Sequence, residues 1–181
     1  MHTNDSQVES IAIRASGMEL MYPPWEKTGA IVVESFPALG RLASLRFLEW
    51  VQRNPGGVVS LPTGKTPEFF IKWTRRFLDG WKTAETSREL EAGGVDPSII
   101  PDIKSLRFVQ IDEFYPVEPG HHNSFHHYVN RYYIEGFGLD ADRALLIDCS
   151  RIGLPAGLGL DAVWPDSTVD LSLRLRHART E

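Results

Sequence analysis

Two short segments carry residue types that can do chemistry. The first is Leu61-Pro62-Thr63-Gly64-Lys65-Thr66-Pro67, which follows the apolar run Val58-Val59 and precedes the spaced aromatics Phe69, Phe70, Trp73 and Phe77. A strand passing into a helix through such a loop leaves unpaired backbone N–H groups at the helix start, where the macrodipole adds partial positive charge. Thr66 is a favoured N-cap and Pro67 suits the first helical position. Gly64 removes a side chain that would hold an anion off the backbone, Thr63 and Thr66 bring hydroxyl donors, and Lys65 brings a positive charge. Together these parts suit a phosphate. They also suit an ordinary strand–turn–helix junction, which needs a glycine and a cap anyway. The glycine spacing of a Walker A loop is missing, which disfavours kinase and ATPase chemistry.

The second segment is Asp112-Glu113, at the end of the run Leu106-Arg107-Phe108-Val109-Gln110-Ile111. In open α/β sheets ligands gather outside the carboxyl ends of the strands, so one crevice is expected to take both the loop and the acidic pair. Adjacent strand residues point to opposite faces, which gives only one of the two carboxylates to a substrate. A carboxylate there has the chemistry of a general base. The plainer alternative is a helix cap or a turn carboxylate.

Four histidines, His121, His122, His126 and His127, flank the start of one helix. His122 and His126 are spaced to share a helical face. A zinc site needs three or four ligands, however, and no Cys or Glu joins them at a recognised spacing, so surface or substrate-facing imidazoles are the better reading. Tyr132 and Tyr133 read as helix packing rather than catalytic groups. Cys149 is the single cysteine, which excludes an internal disulfide, and it reads as a buried small apolar residue rather than a nucleophile.

The elements that must position these residues follow from periodicity. Apolar runs alternate with helical patterns, as in a parallel α/β sheet. Strands are expected at 30–33, 58–61, 106–111 and 144–147. Ser35 and Pro37 open a helix whose apolar face is Phe36, Leu39, Ala43, Phe47 and Trp50, ended by Asn54-Pro55-Gly56-Gly57. Asn123 or Ser124 caps another, carrying Phe125, Tyr128, Val129, Tyr132 and Tyr133. The polar stretch from about Gly80 to Ser105 reads as a surface excursion with one short helix. Residues 1–25 read as a polar, poorly ordered lead-in to an α/β domain over 26–181. The charged segment 174–181 closes the chain without a capping residue or a last strand, as a fragment of a longer protein would.

The composition bounds the function. The chain has 181 residues, 42% hydrophobic and 24% charged, with a net charge of -5 from 19 basic and 24 acidic residues. That suits a globular domain with a sizeable core and gives no footprint for nucleic acid or anionic membrane. No apolar run approaches the roughly 20 residues that span a bilayer, and the N-terminus has no secretory pattern, so the compartment reads as cytoplasmic.

The strand followed by L-P-T-G-x-T-P, then a strand ending Asp-Glu-aromatic, then His121-His122-Asn123-Ser124-Phe125 opening a helix, resembles the glucosamine-6-phosphate deaminase/isomerase family over about residues 57–79 and 105–148. The resemblance implies a Rossmann-like open, mainly parallel sheet with flanking helices, here incomplete at the C-terminus. It implies a phosphorylated amino sugar as substrate and no metal or organic cofactor. By motif position Asp112 matches the base that removes the C2 proton, and Glu113 matches its supporting acidic neighbour. Thr63, Gly64, Lys65 and Thr66 match the loop that holds the phosphate. Reprotonation at C1 and loss of ammonia would then give fructose 6-phosphate.

Two departures accompany the resemblance. Lys65 stands where the family usually has a small or hydroxylated residue, and the family's later Gly-x-x-Gly-His segment, which handles ring opening, has no match. A 6-phosphogluconolactonase-like hydrolase is the nearest rival. That group typically has arginine and asparagine where this chain has Phe114 and Phe125, which favours the deaminase side. A non-catalytic sugar-phosphate module is the rival from another class. An unfinished sheet edge would also expose backbone pairing groups, so homo-oligomerisation is expected.

Overall fold

The structure is a computed structural model and describes residues 6–16, 31–163 and 165. Residues 1–5 and 17–25 of the expected lead-in, Ala30 of the first expected strand and the charged segment 174–181 lie outside them. The chain forms two compact units. One takes the residues through Gly57 together with Lys65–Leu106, and the other takes Val58–Gly64 together with the described residues from Arg107 onward.

The first unit is helical, with α1 (Gln7–Ser16), α2 (Phe36–Arg53), α3 (Glu68–Gly80) and α4 (Ala84–Ala92). The segment expected as a poorly ordered lead-in therefore contains a helix, α1. Its start is secured from a distance: Ser6 caps it, accepting from the Glu9 N–H at 3.1 Å, while the Ser6 hydroxyl and the Gln7 N–H donate to the Glu49 carboxylate of α2 at 2.5 and 2.7 Å. Arg53 and Arg46 balance that buried charge, at 2.8 and 3.4 Å. Val8 then enters a core with Leu45, Leu48, Phe77, Trp81, Leu90 and Val95.

At the start of α2, Ser35 accepts from the Ala38 N–H and Pro37 sits in the first turn, as the sequence predicts. Its buried face differs from the expected one. Phe36 and Leu39 are exposed, and the buried positions are Gly40, Ser44, Leu45, Leu48, Glu49 and Val51. The cause is close packing against α3. A Cβ added to Gly40 would lie 2.4 Å from the Phe69 Cβ, and the buried Thr74 hydroxyl donates to Ser44 at 2.9 Å. Small residues, which a hydrophobicity pattern ignores, define this helix–helix contact.

The structure differs from the sequence expectation at two further places. Residues 31–33 form no strand; they line a cavity of about 630 Å³ beside α1 and α2. The stretch from Gly80 to Ser105 contains a short helix, α4, but it is not a surface excursion, because it buries Trp81, Leu90, Val95 and Ile103. The Trp81 indole N–H donates to the Pro97 carbonyl at 2.9 Å, so the large ring is buried with its polar edge satisfied.

The second unit holds a parallel sheet of three strands in the order β1 (Val58–Val59), β2 (Arg107–Val109), β3 (Ala144–Leu145). Val59 stands opposite Phe108, and Phe108 opposite Ala144. These are three of the four expected strands, each shorter than its apolar run. The reason is visible at Gln110, where a side chain takes over from the ladder and accepts the Ile147 N–H at 3.0 Å.

On the sheet lies α5 (Phe125–Val129), which passes without a break into a π-helical turn (Asn130–Ile134) and α6 (Glu135–Phe137). Val129, Tyr133, Ile134 and Phe137 are its buried residues. Tyr133 packs on Phe108 of β2 and edge-on to Phe137, with ring centroids 5.8 and 5.2 Å apart. The last helix among the described residues is α7 (Leu160–Val163). The fold is a mixed α/β arrangement with a small open parallel sheet and flanking helices, in agreement with the sequence reading. Among the described residues, no helix is long and apolar enough to cross a membrane.

Candidate functional site

The sheet unit treats the two adjacent carboxylates differently. Glu113 is half-buried, and its two oxygens take the N–H groups of Phe125 and His126 at 2.8 and 2.7 Å, the Ser124 hydroxyl at 2.8 Å and the Phe114 N–H at 2.9 Å. Three of those donors, from Ser124, Phe125 and His126, belong to the α5 start, whose first N–H groups have no partner within the helix and where a negative charge is also favoured by the helix dipole. Partial burial works to raise the Glu113 pKa, but the amides of His126, Phe125 and Phe114 and the Ser124 hydroxyl outweigh it and hold it below the ordinary glutamate value. Ser124 in turn caps α5, accepting from the His127 N–H at 3.2 Å, which decides between the two cap candidates.

Asp112 is exposed, and among the described residues its carboxylate has no hydrogen-bond or ion-pair partner. Its backbone is nevertheless held: the Gln110 side-chain amide donates to the Asp112 carbonyl at 2.8 Å. Gln110 is buried, and the same side chain reaches Glu113 at 3.4 Å and accepts from Ile147. One glutamine thus ties the ends of β2 and β3 to the acidic pair. From the sequence, Gln110 reads only as a strand residue. The signal available was a lone polar residue inside an apolar run, just before two acids.

The parallel pairing of β1, β2 and β3 means that the segments leaving each strand emerge at one edge of the sheet. The Ser60 hydroxyl donates to the Val109 carbonyl at 2.7 Å, linking the chain after β1 to the end of β2. Thr63 and Gly64 follow within this unit. Gly64 has φ +84°, a left-handed conformation that glycine adopts without strain, and a Cβ there would meet nothing within 4 Å. The glycine is required by backbone conformation, with open space beside it.

Lys65 and Thr66 belong to the helical unit. The expected cap at Thr66 is not made. The Glu68 N–H donates to the Lys65 carbonyl at 3.2 Å, Pro67 occupies the N-cap position of α3, and no side chain caps that helix. A tight turn at 65–68 replaces the side-chain cap that the sequence predicts.

Of the histidines, His126 Nδ1 lies 3.0 Å from the Ile147 carbonyl, which ties α5 to the chain after β3. The His121 and His122 rings pack on each other, 4.5 Å between centroids, and His121 Nδ1 accepts the Asn123 N–H at 3.2 Å. Among the described residues no group of three His, Cys, Asp or Glu side chains could hold a metal ion. Cys149 is buried, and burial, with the nearby charges of Glu113 and Asp148, pushes its thiol above the ordinary value, which suits an inert residue. None of the six expected site residues lines the cavity in the helical unit.

No protein-family model matches this chain, and no curated protein does. Among solved structures, it is similar to a monomeric glucosamine-6-phosphate deaminase described as a missing link of the NagB superfamily, with 17% identity and a TM-score of 0.50. The likeness covers 65% of this chain and 41% of that one, so the chain spans well under half the length of its structural neighbour. At that identity the likeness is one of fold, and the α/β architecture is what the two proteins share.

Proposed function

We propose that this chain binds a phosphorylated amino sugar at the carboxyl edge of its sheet, and that Asp112 is the base of a glucosamine-6-phosphate deaminase-type isomerisation. The observation that carries the reading is the division of labour between neighbours. Glu113 is fully engaged by the α5 start, whereas the Asp112 carboxylate stands exposed at the end of the central strand with its backbone fixed by Gln110. A base needs free lone pairs at a defined place in the site, and Asp112 offers a free carboxylate on a backbone that Gln110 holds. The residues Thr63, Gly64, Lys65 and Thr66 would take the phosphate, whose binding energy anchors the sugar while the carboxylate acts.

In the open-chain sugar, Asp112 removes the C2 proton and an enolamine forms. A proton returns at C1 to give the C2 imine, and water adds there and expels ammonia, leaving fructose 6-phosphate. The aromatic pair Phe114–Phe125, with centroids 4.6 Å apart, favours this reading over a lactonase, because neither position offers a polar group to a lactone.

The test is exchange of the C2 proton of glucosamine 6-phosphate in D2O, followed by NMR. Loss of the C2 signal with the wild-type chain and its retention with Asp112→Asn supports the assignment, and equal rates in the two sink it. A thermal shift with the phosphorylated sugar but not with glucosamine, without exchange, would instead mark a non-catalytic binding module. A ligand at 100 times its Kd stabilises the native state by about 2.7 kcal/mol, enough to read.

A further inference from the structure

The loop after β1 is held by two tyrosine hydroxyls from the helix on the sheet. Tyr128 of α5 donates to the Gly64 carbonyl at 2.8 Å, and Tyr133, one helical turn on and fully buried, donates to the Pro62 carbonyl. The two rings pack edge to face, 6.0 Å apart, so the hydroxyls act as a pair. Burial also raises the Tyr133 pKa above its ordinary value, with Tyr128 adding to it, so this hydroxyl keeps its proton to donate.

The peptide geometry gives these bonds a consequence. In a planar trans peptide the carbonyl of one residue and the N–H of the next point in opposite directions. With the Pro62 carbonyl drawn toward Tyr133, the Thr63 N–H is turned away from the helix. With the Gly64 carbonyl drawn toward Tyr128, the Lys65 N–H in the same peptide plane is turned away as well. Among the described residues neither N–H donates a hydrogen bond. The left-handed φ of Gly64, +84°, lies between the two peptides. Backbone N–H groups on either side of a left-handed residue can line a concavity that accepts an anion.

We propose that Tyr128 and Tyr133 are positioning residues that preset this loop, turning the Thr63 and Lys65 amides outward for the oxygens of a phosphate monoester. The proposal rests on the reading of the loop as the phosphate site, and it gives the work of shaping that loop to two side chains of which one, Tyr133, reads from the sequence as packing alone. Preorganisation of this kind acts on binding, because the loop does not have to be ordered by the ligand.

The experiment uses the full chain, labelled with ¹⁵N, as wild type, Tyr128→Phe and Tyr133→Phe. It reads the amide resonances of Thr63 and Lys65 without ligand, then the affinities for inorganic phosphate, glucosamine 6-phosphate and glucosamine. Each substitution removes one hydroxyl and keeps the ring. Tyr128→Phe, at the less buried position, is expected to move the Lys65 resonance and to weaken both phosphate ligands by about tenfold. Glucosamine should be unaffected, and turnover, where it occurs, should lose in KM with kcat preserved. Unchanged resonances, or moved resonances with unchanged phosphate affinity, would overturn the proposal. A wild-type chain that binds neither phosphate ligand overturns the phosphate reading. The hydroxyl clamp on the loop then stands or falls on the ligand-free resonances alone.

Discussion

The His126 N–H donates to Glu113 at 2.7 Å, across thirteen residues of chain. That bond, with those from Phe125 and Ser124, makes one carboxylate the fastening between the end of β2 and the start of α5. Its pH dependence has a definite sign. The folded-state pKa of Glu113 lies below the unfolded value, so its stabilisation is present above about pH 4.3 and is lost as the pH falls through the folded value. Glu113→Gln should cost about 1–2 kcal/mol at pH 7, the range of a charged hydrogen bond discounted for partial exposure. Urea titrations at pH 7 and at successively lower pH should show the wild-type advantage shrinking below pH ~4. An advantage that grew on acidification would refute the role given to Glu113.

Asp112 should behave in the opposite way. With no partner among the described residues, its replacement by Asn removes charge without breaking a contact, so melting should barely change. Exchange at C2 should fall by about 10²- to 10⁴-fold, the usual contribution of a positioned base, with phosphate-ester affinity kept within a few-fold. Equal losses of exchange and affinity would remove Asp112 from the role of base.

Gly40 tests the packing of α2 on α3. Alanine is the better helix former by about 1 kcal/mol, so propensity alone predicts a gain. Packing predicts a loss, because the added Cβ would lie 2.6 Å from the Phe69 carbonyl carbon and 2.7 Å from the Phe70 nitrogen, backbone atoms that cannot swing aside. The loss should win: overpacking of a tight contact costs about 1–3 kcal/mol, and Gly40→Val should cost more than Gly40→Ala. A neutral Gly40→Ala in a urea titration would contradict the close approach.

These two helices also mark the limit of what was legible in the sequence. Ser35 as a cap, Ser124 as one of two cap candidates, three of the strands and the alternation into α/β could be read because each depends on local chemistry or on a simple period. The buried face of α2 could not, because it is built from Gly40, Ser44 and Glu49, residues that score as polar or small. Residues 31–33 have the β-branched composition of a strand, but composition cannot supply the hydrogen-bonding neighbour a strand needs. At the site, the acidic pair was visible as two candidates. Which of them is free was decided by the α5 start, eleven residues later in the chain, and by Gln110.

Glu49 repeats the Glu113 arrangement in the helical unit, receiving the start of α1. Glu49→Ala should cost about 2–3 kcal/mol, from charge-assisted hydrogen bonds lost in a buried setting, while Arg46 and Arg53 remain partly solvated. The damage should be local. Amide hydrogen exchange across Gln7–Ser16 should accelerate far more than exchange in α3. Uniform acceleration would mean that α1 is an integral part of the unit rather than a docked element.

The assignment of residues to the two units has a consequence for how this chain can be made and cut. The helical unit needs Lys65–Leu106 in addition to the residues before Val58, and the sheet unit needs Val58–Gly64 in addition to those after Leu106. Neither is a continuous stretch, so a single nick or a simple truncation cannot release either one whole. During synthesis the first strand leaves the ribosome long before the strand it pairs with, and it must wait while the rest of the helical unit is completed. Length changes at 57–65 therefore touch both units at once, whereas the far end of α4 can be altered within one of them alone.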